Sequence, residues 1–528
     1  MSRNLSSLIL DYNTGTGNLT SVQELYLDYS SFDEESFKSL GALPSLKLLS
    51  MFALNASLPQ GLPNFKFLEY LDLRASALPD NFLKDMEKLP SLKTLLLSYC
   101  RLSGTIPAAK GLCELIHLQE IDISYNNLSG TLPSCLANLT SLQRLDLSSN
   151  HFTGDISLSP LRTLTSLHIL QLSSNLFQIP ISLLPFFNHS KLKFLYCYGN
   201  EIYADIDMPN LTPKFQLEYL DFSGQGDGGV FPKFLYYQHK LQPNFPKHAD
   251  FKELKLLWLD GNQFTGSIPY GIVNCTGLQI LDVSDNYLSG SIPGWIRNLT
   301  SLEVMDLSQN NYSGNLPSNF GPHWIREVYL SKNRLQGALT NAFCNCSGLM
   351  ILDLRHNYFT GRVPECIDKF SRLSYLLLGY NNLEGEIPIQ LCNLRQLSLV
   401  DLSNNNLSGH ILPCISAASN WQTKVASYGY PGTYMKQPLE FTTKRVSYYF
   451  QGSILKLISG LDLSGNNLTG KIPTEIGNLS MIQVLNLSHN RLTGLIPQSF
   501  SSLSQIESLD LSYNNLNGKS LNSLNYIF

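Results

Sequence analysis

The chain has 528 residues, a formal net charge of −4 and only 15% charged residues. That balance excludes the basic face or stripe that a nucleic-acid footprint needs. No apolar run of about 18 residues that could cross a membrane is present, and the first residues do not read as a secretory leader.

From Leu5 onward the pattern L-x-x-L-x-L-x-x-N returns about every 24 residues, within the range of leucine-rich repeats. The first series starts at Leu5, Val22, Leu46, Leu68, Leu92, Leu118, Leu142, Leu167, Leu192 and Leu217. The L-x-L core has period 2 and is only a few residues long, so each repeat opens with a short strand. One such strand cannot bury its leucines alone, whereas stacked neighbours make a parallel sheet over a continuous core. Roughly 20 turns at the ~4.8 Å strand spacing give a sheet on the order of 95 Å long. The expected fold is a leucine-rich repeat solenoid, a horseshoe or superhelix. Its parallel β-sheet lines the concave face, with 3-10, short helical and loop segments on the convex face. The asparagine that closes each motif, as at Asn150, Asn262 and Asn466, bonds backbone groups that water cannot reach.

The register slips after Leu217, and the next start is Leu254. Either an irregular loop near 224–253 interrupts the stack, or part of a longer parent is missing; Leu241, in step with the preceding repeats, favours the second. Regular starts then run from Leu254 through Leu278, Leu302, Ile325, Leu349 and Leu373 to Leu397. Repeats therefore fill 1–411, about 17 of them.

An insertion at 412–456 follows, with its non-repeat part near Ser416 to Leu455. It carries Trp421, Tyr428, Tyr430, Tyr434, Phe441, Lys444, Arg445, Tyr448 and Tyr449. Rigid aromatics with neighbouring cations supply contact area for a partner; a self-packed aromatic mini-core is the other reading, and both can hold together. About three more repeats occupy 457–519, starting at Ile458, Ile482 and Ile506, and 520–528 forms a non-repeat tail.

The turns after the strands carry a second signature, as in Leu102-Ser-Gly-Thr-Ile-Pro107, Leu288-Ser-Gly-Ser-Ile-Pro293 and Leu468-Thr-Gly-Lys-Ile-Pro473. The glycine suits a tight turn and the proline stops extended pairing. This L-x-G-x-[IL]-P run resembles the plant-specific class of extracellular leucine-rich repeats. With Phe441-Thr-Thr-Lys-Arg445 and the repeats that follow it, the insertion resembles the island domain of plant leucine-rich repeat receptor-like proteins. The resemblance implies a cell-surface ectodomain that binds a peptide, elicitor or small hormone through its concave face and island. It implies signalling through co-receptor and adaptor receptor kinases, in defence or development, at the extracellular face of the plasma membrane. Membrane anchoring is expected of the full-length family member but not encoded in this chain. Measured against the family, the sequence reads as incomplete at both ends, without cysteine caps.

Cysteine spacing points to an oxidising compartment. Cys113 and Cys135, Cys344 and Cys366, and Cys392 and Cys414 share one spacing, which places each pair on adjacent turns within disulfide reach. Each bridge stabilises by roughly 3.4 kcal/mol as an upper figure. Cys100, Cys197, Cys275 and Cys346 read as buried thiols. Sequons for glycosylation stand at Asn4, Asn18, Asn55, Asn127, Asn138, Asn188, Asn210, Asn274, Asn298, Asn311, Asn345, Asn406, Asn467, Asn478 and Asn486.

Alternation puts the second, fourth and sixth residues after each start on an exposed concave face. Asp is the common fourth residue, as at Asp146 and Asp401, a structural or solvated choice. Trp258, Tyr329 and Leu377 depart from it. Arg355, His356, Tyr375, Leu377 and Tyr380 fall on neighbouring turns beside the insertion and form the first-choice binding group. Kinase, serine-hydrolase and zinc-protease motifs are absent, the histidines lack metal spacing, and neither a cofactor nor a metal is expected. Two alternatives stay open: a secreted leucine-rich repeat inhibitor of cell-wall-degrading enzymes, and a truncated product without independent function.

Overall fold

The computed structural model describes residues 7–9, 22–31, 34–54, 58, 61–79, 81–108, 111–205, 213–224, 226, 229–230, 232, 254–339, 342–417, 439–443, 446–450 and 458–517. It divides into two units, 1–264 and 265–528, each a leucine-rich repeat solenoid.

In the first unit the L-x-L strands form one parallel ladder from Ser7–Ile9 to Leu256–Trp258. Neighbouring strands pair in step, so that Ile121 lies opposite Leu145, and Leu145 opposite Leu170. These three side chains are 0–2% exposed, and burying each stabilises the stack by roughly 1.5–3 kcal/mol. The slip after Leu217 leaves no gap. Tyr219–Asp221 pairs directly with Leu256–Trp258, while Leu241, where a further repeat start was expected, lies outside the described residues.

The second unit repeats the arrangement from Ile280–Asp282 to Ser508–Asp510. Here too the ladder passes straight over the insertion: Leu399–Asp401 pairs with Gly460–Asp462. Within the insertion, Leu439–Thr443 and Val446–Phe450 form an antiparallel pair, with Phe441 opposite Tyr448 and Glu440 opposite Tyr449.

The asparagines join one turn to the next. Asn150 donates to Ile123 and Leu147 and accepts from the Leu128 amide, tying its own turn to the preceding one. Asn466 does the same across the insertion, donating to Leu402 at 2.9 Å and accepting from Leu407 at 3.0 Å. Where Cys100 replaces the asparagine, its thiol donates to Leu73 in that place, and burial pushes its pKa up to about 12.

A second set of parallel strands was not expected. The N-L-S-G stretch Asn127–Gly130 pairs with Ser103–Gly104 before it and His151–Asp155 after it. Gly130 ends this strand with φ 76°, a left-handed conformation that glycine adopts without steric cost. Pro133 then ends the extension, and a 3-10 turn follows at Ser134–Asn138. The convex side is therefore built of short strands and 3-10 turns.

Candidate functional site

The cysteine pairs 113–135, 344–366 and 392–414 are bonded, each with Cα atoms 5.6 Å apart. Cys392 and Cys414 hold the turn that precedes the insertion. Cys100, Cys197, Cys275 and Cys346 are buried free thiols.

Five of the residues read as exposed contact groups require correction. Trp258 and Arg355 are 6% exposed, Tyr329 4%, Tyr375 1% and Leu377 0%. They occupy concave-face positions, but side chains on consecutive turns lie one strand spacing apart and enclose one another. Tyr329 donates its hydroxyl to Glu327 at 3.1 Å, and burial with that carboxylate pushes its pKa up. Trp258 sits 4.7 Å from the Tyr219 ring, which lies 4.2 Å from Tyr196. Arg355 grips Asp353 through Nε at 2.9 Å and Nη2 at 2.7 Å, a forked pair in a buried setting.

His356 and Tyr380 remain accessible. Both stand where the chain leaves a strand, in left-handed conformations with φ 52° and 56°, and their rings stack at 4.3 Å. Tyr380 is 43% exposed. Of the insertion residues, Trp421, Tyr428, Tyr430, Tyr434, Lys444 and Arg445 lie outside the described residues. Tyr448 and Tyr449 lie on its second strand.

Asp401 and Asp462, which sequence reasoning passed over as regular concave aspartates, prove the more informative pair. Sixty-one positions apart in the chain, they are register partners on adjacent strands. Each is 5% exposed. Asp401 Oδ1 accepts from the Ser403 amide and hydroxyl, while Asp462 accepts from Ser464 and from Asn486 at 3.0 Å. Burial, and then the neighbouring Asp401 charge, push Asp462 up to about 7. Burial also raises Asp401, against the pull of Arg355 and Ser403. Both carboxylates, with Arg355, His356, Tyr380 and Asn486, line a cavity of about 60 Å3. The signal in the sequence was the repeated Asp-Leu-Ser at 401 and 462, but only the register makes them neighbours.

Among the sequons, Asn127, Asn138, Asn188, Asn298, Asn345, Asn406 and Asn478 are exposed, and Asn274, Asn311 and Asn467 half-buried. Asn4, Asn18, Asn55 and Asn210 lie outside the described residues. Asn486 is also half-buried, and its amide nitrogen donates to Asp462 at 3.0 Å. Among the described residues, no group of three or more His, Cys, Asp or Glu is placed to hold a metal, and no helix is long and apolar enough to cross a membrane.

Family models described as leucine rich repeat match residues 112–152, 252–311, 325–383 and 455–516, and a second such model matches 91–111, 301–322 and 396–418. Cuscuta receptor 1 of Solanum lycopersicum is 32% identical over 193 residues, covering 36% of this chain but only 16% of that receptor. Receptor-like protein 14 of Arabidopsis thaliana is 45% identical over 53 residues, 10% of this chain and 5% of the relative. The chain thus aligns with less than a fifth of the length of these curated relatives. Among solved structures, the plant peptide hormone receptor RGFR1 in complex with RGF2 superposes with a TM-score of 0.78 and 26% identity, covering 98% of this chain and 76% of that one. The Arabidopsis receptor kinase HAESA, with the peptide hormone IDA and co-receptor SERK1, gives a TM-score of 0.72 at 25% identity, covering 99% and 88%. With its repeat period, its L-x-G-x-[IL]-P turns and these matches, the chain belongs to the leucine-rich repeat proteins, in their plant receptor-like class.

Proposed function

We propose that this chain is a non-catalytic receptor ectodomain at the extracellular face of the plasma membrane. It recognises a ligand through the second unit's concave face and the insertion at 412–456. The ligand is a peptide, an elicitor or a small hormone, and the response runs through a co-receptor and adaptor receptor kinases in defence or development. A peptide is the leading class, because RGFR1 and HAESA, which this chain resembles in fold, are described with peptide hormones. Glycans on the exposed asparagines and the repeats of 457–519, free to meet a co-receptor, complete the reading.

One observation carries it. The sheet closes directly from Leu399–Asp401 to Gly460–Asp462, so the insertion falls in the chain between the two strands whose Asp401 and Asp462 line the cavity with His356 and Tyr380. Long irregular segments on a rigid frame are where binding function concentrates. Deleting residues 416–455 in a membrane-anchored, full-length context is expected to abolish the ligand-triggered response while the protein still reaches the cell surface. An unchanged response overturns the proposal.

A further inference from the structure

The cavity in the second unit is chemically one-sided. Counting Asp353, Asp401 and Asp462 against Arg355 leaves two carboxylates in excess when all are ionised, and Arg355 is already forked onto Asp353. The carboxylate of Asp401 lies against Gly379, where an added Cβ would come within 2.5 Å of Oδ1 and 2.8 Å of Oδ2. Glycine at that position is what gives the carboxylate its seat. Oδ1 is engaged by Ser403, while Oδ2 makes no hydrogen bond among the described residues and lines the opening. Asp401 is 5% exposed, so this oxygen keeps only a narrow access to water, and a donor on a ligand can take the place of that water. The stacked His356 and Tyr380 rings form the adjacent wall.

We propose that this cavity is a subsite for a primary ammonium group, the head of a lysine side chain or an amino terminus presented by the ligand. The volume, about 60 Å3, holds roughly two water-sized groups at ~30 Å3 each, enough for an aminomethyl head. The ammonium donates to Asp401 Oδ2 and to the Asp462 carboxylate, and the aliphatic stem runs along the Tyr380 ring. Ammonium binding requires the carboxylates in their ionised form. Asp462, raised to about 7 and facing Asp401, Arg355, Asn486 and Ser464, loses that form as the medium becomes acidic. The subsite therefore weakens on acidification.

The inference deepens the receptor reading and rests on it, but its test is a binding measurement that needs no signalling. Nα-acetyl-lysine N-methylamide and its Nε-acetylated counterpart are titrated against the 528-residue chain by calorimetry and saturation-transfer NMR. The amine is expected to bind saturably and the acetylated probe about tenfold or more weakly. Binding of the amine should fall between about pH 8 and about pH 5. Asp401→Asn and Asp462→Asn should each weaken the amine about tenfold, and Gly379→Ala, which unseats the Asp401 carboxylate without removing a charge, should weaken it too. Equal binding of the two probes, or Asn variants that bind as the wild type does, overturns the proposal. The probe pair on the unmodified chain decides the question even where a variant fails to fold. Loss of the probe difference leaves recognition by the face and insertion standing. An unchanged response after deletion of 416–455 removes the receptor reading while the ammonium subsite survives.

Discussion

The two units are built on one repeat, yet their concave faces differ most clearly at the residue that opens each strand. In the first unit the residue that opens each strand is exposed or half-exposed, as at Glu24, Tyr70, Glu120, Arg144, Phe194 and Tyr219. In the second unit the same position is buried on every strand, at Ile280, Val304, Glu327, Ile351, Tyr375, Leu399, Gly460, Val484 and Ser508. Alternation decides which face a side chain occupies and leaves open how much water reaches it. In the second unit most of these residues are apolar, and the face they form is enclosed. The half-polar face of the first unit, with its ion pair Arg144–Glu120 at 3.4 Å, suits a frame that stays in contact with water.

The largest expected effect separates the two faces directly. Tyr375→Ala, at a fully enclosed site, should lower unfolding stability by about 3–5 kcal/mol. Tyr70→Ala, half-exposed at the matching position of the first unit, should cost about 1–2 kcal/mol. Urea unfolding of both variants reports the difference; equal losses would erase the distinction between the units.

A smaller effect tests whether the insertion strains the second unit. Asn466→Ala strips side-chain donors from Leu402, Leu463 and Ser464 and the acceptor from Leu407, a loss of about 1–3 kcal/mol. Asn150→Ala removes the same set in the first unit and should match it. A much larger loss at Asn466 would show that the insertion pulls on the frame.

The smallest effect depends on pH. The folded pKa of Asp462 is raised above its ordinary value of 3.8 to about 7. Its contribution to stability is therefore fully present below pH ~4 and is lost as pH rises through ~7. Asp462→Asn should melt close to the wild type near pH 4 and about 1–3 °C above it near pH 8. A difference that does not change with pH removes Asp462 as a titrating group in this range.

Much of this architecture was legible from the residues. Period, strand and closing asparagine follow from one backbone bonding pattern repeated in each turn, so the ladder and the role of Asn150 could be read directly. The cysteine pairs 113–135, 344–366 and 392–414 were readable for the same reason, since a fixed spacing in a stack is a fixed distance. The strand at Asn127–Gly130 was not, because a short N-L-S-G run lacks alternation and gains extended form only from its neighbours' register. Exposure was misjudged at Arg355, Tyr375 and Leu377, because it depends on what encloses a face and not on the face alone. The Asp401–Asp462 cavity escaped notice because its halves meet only after the chain has travelled through the insertion and returned.

That return has a consequence for how such molecules diversify. Asn466 reaches a carbonyl 64 positions away, where Asn357 reaches one 27 away with the same geometry. Closing the longer excursion costs only about 0.8 kcal/mol more in chain entropy. The stack thus offers a socket into which segments of different length and chemistry could be fitted at little thermodynamic penalty, so that specificity is free to drift while the scaffold stays fixed.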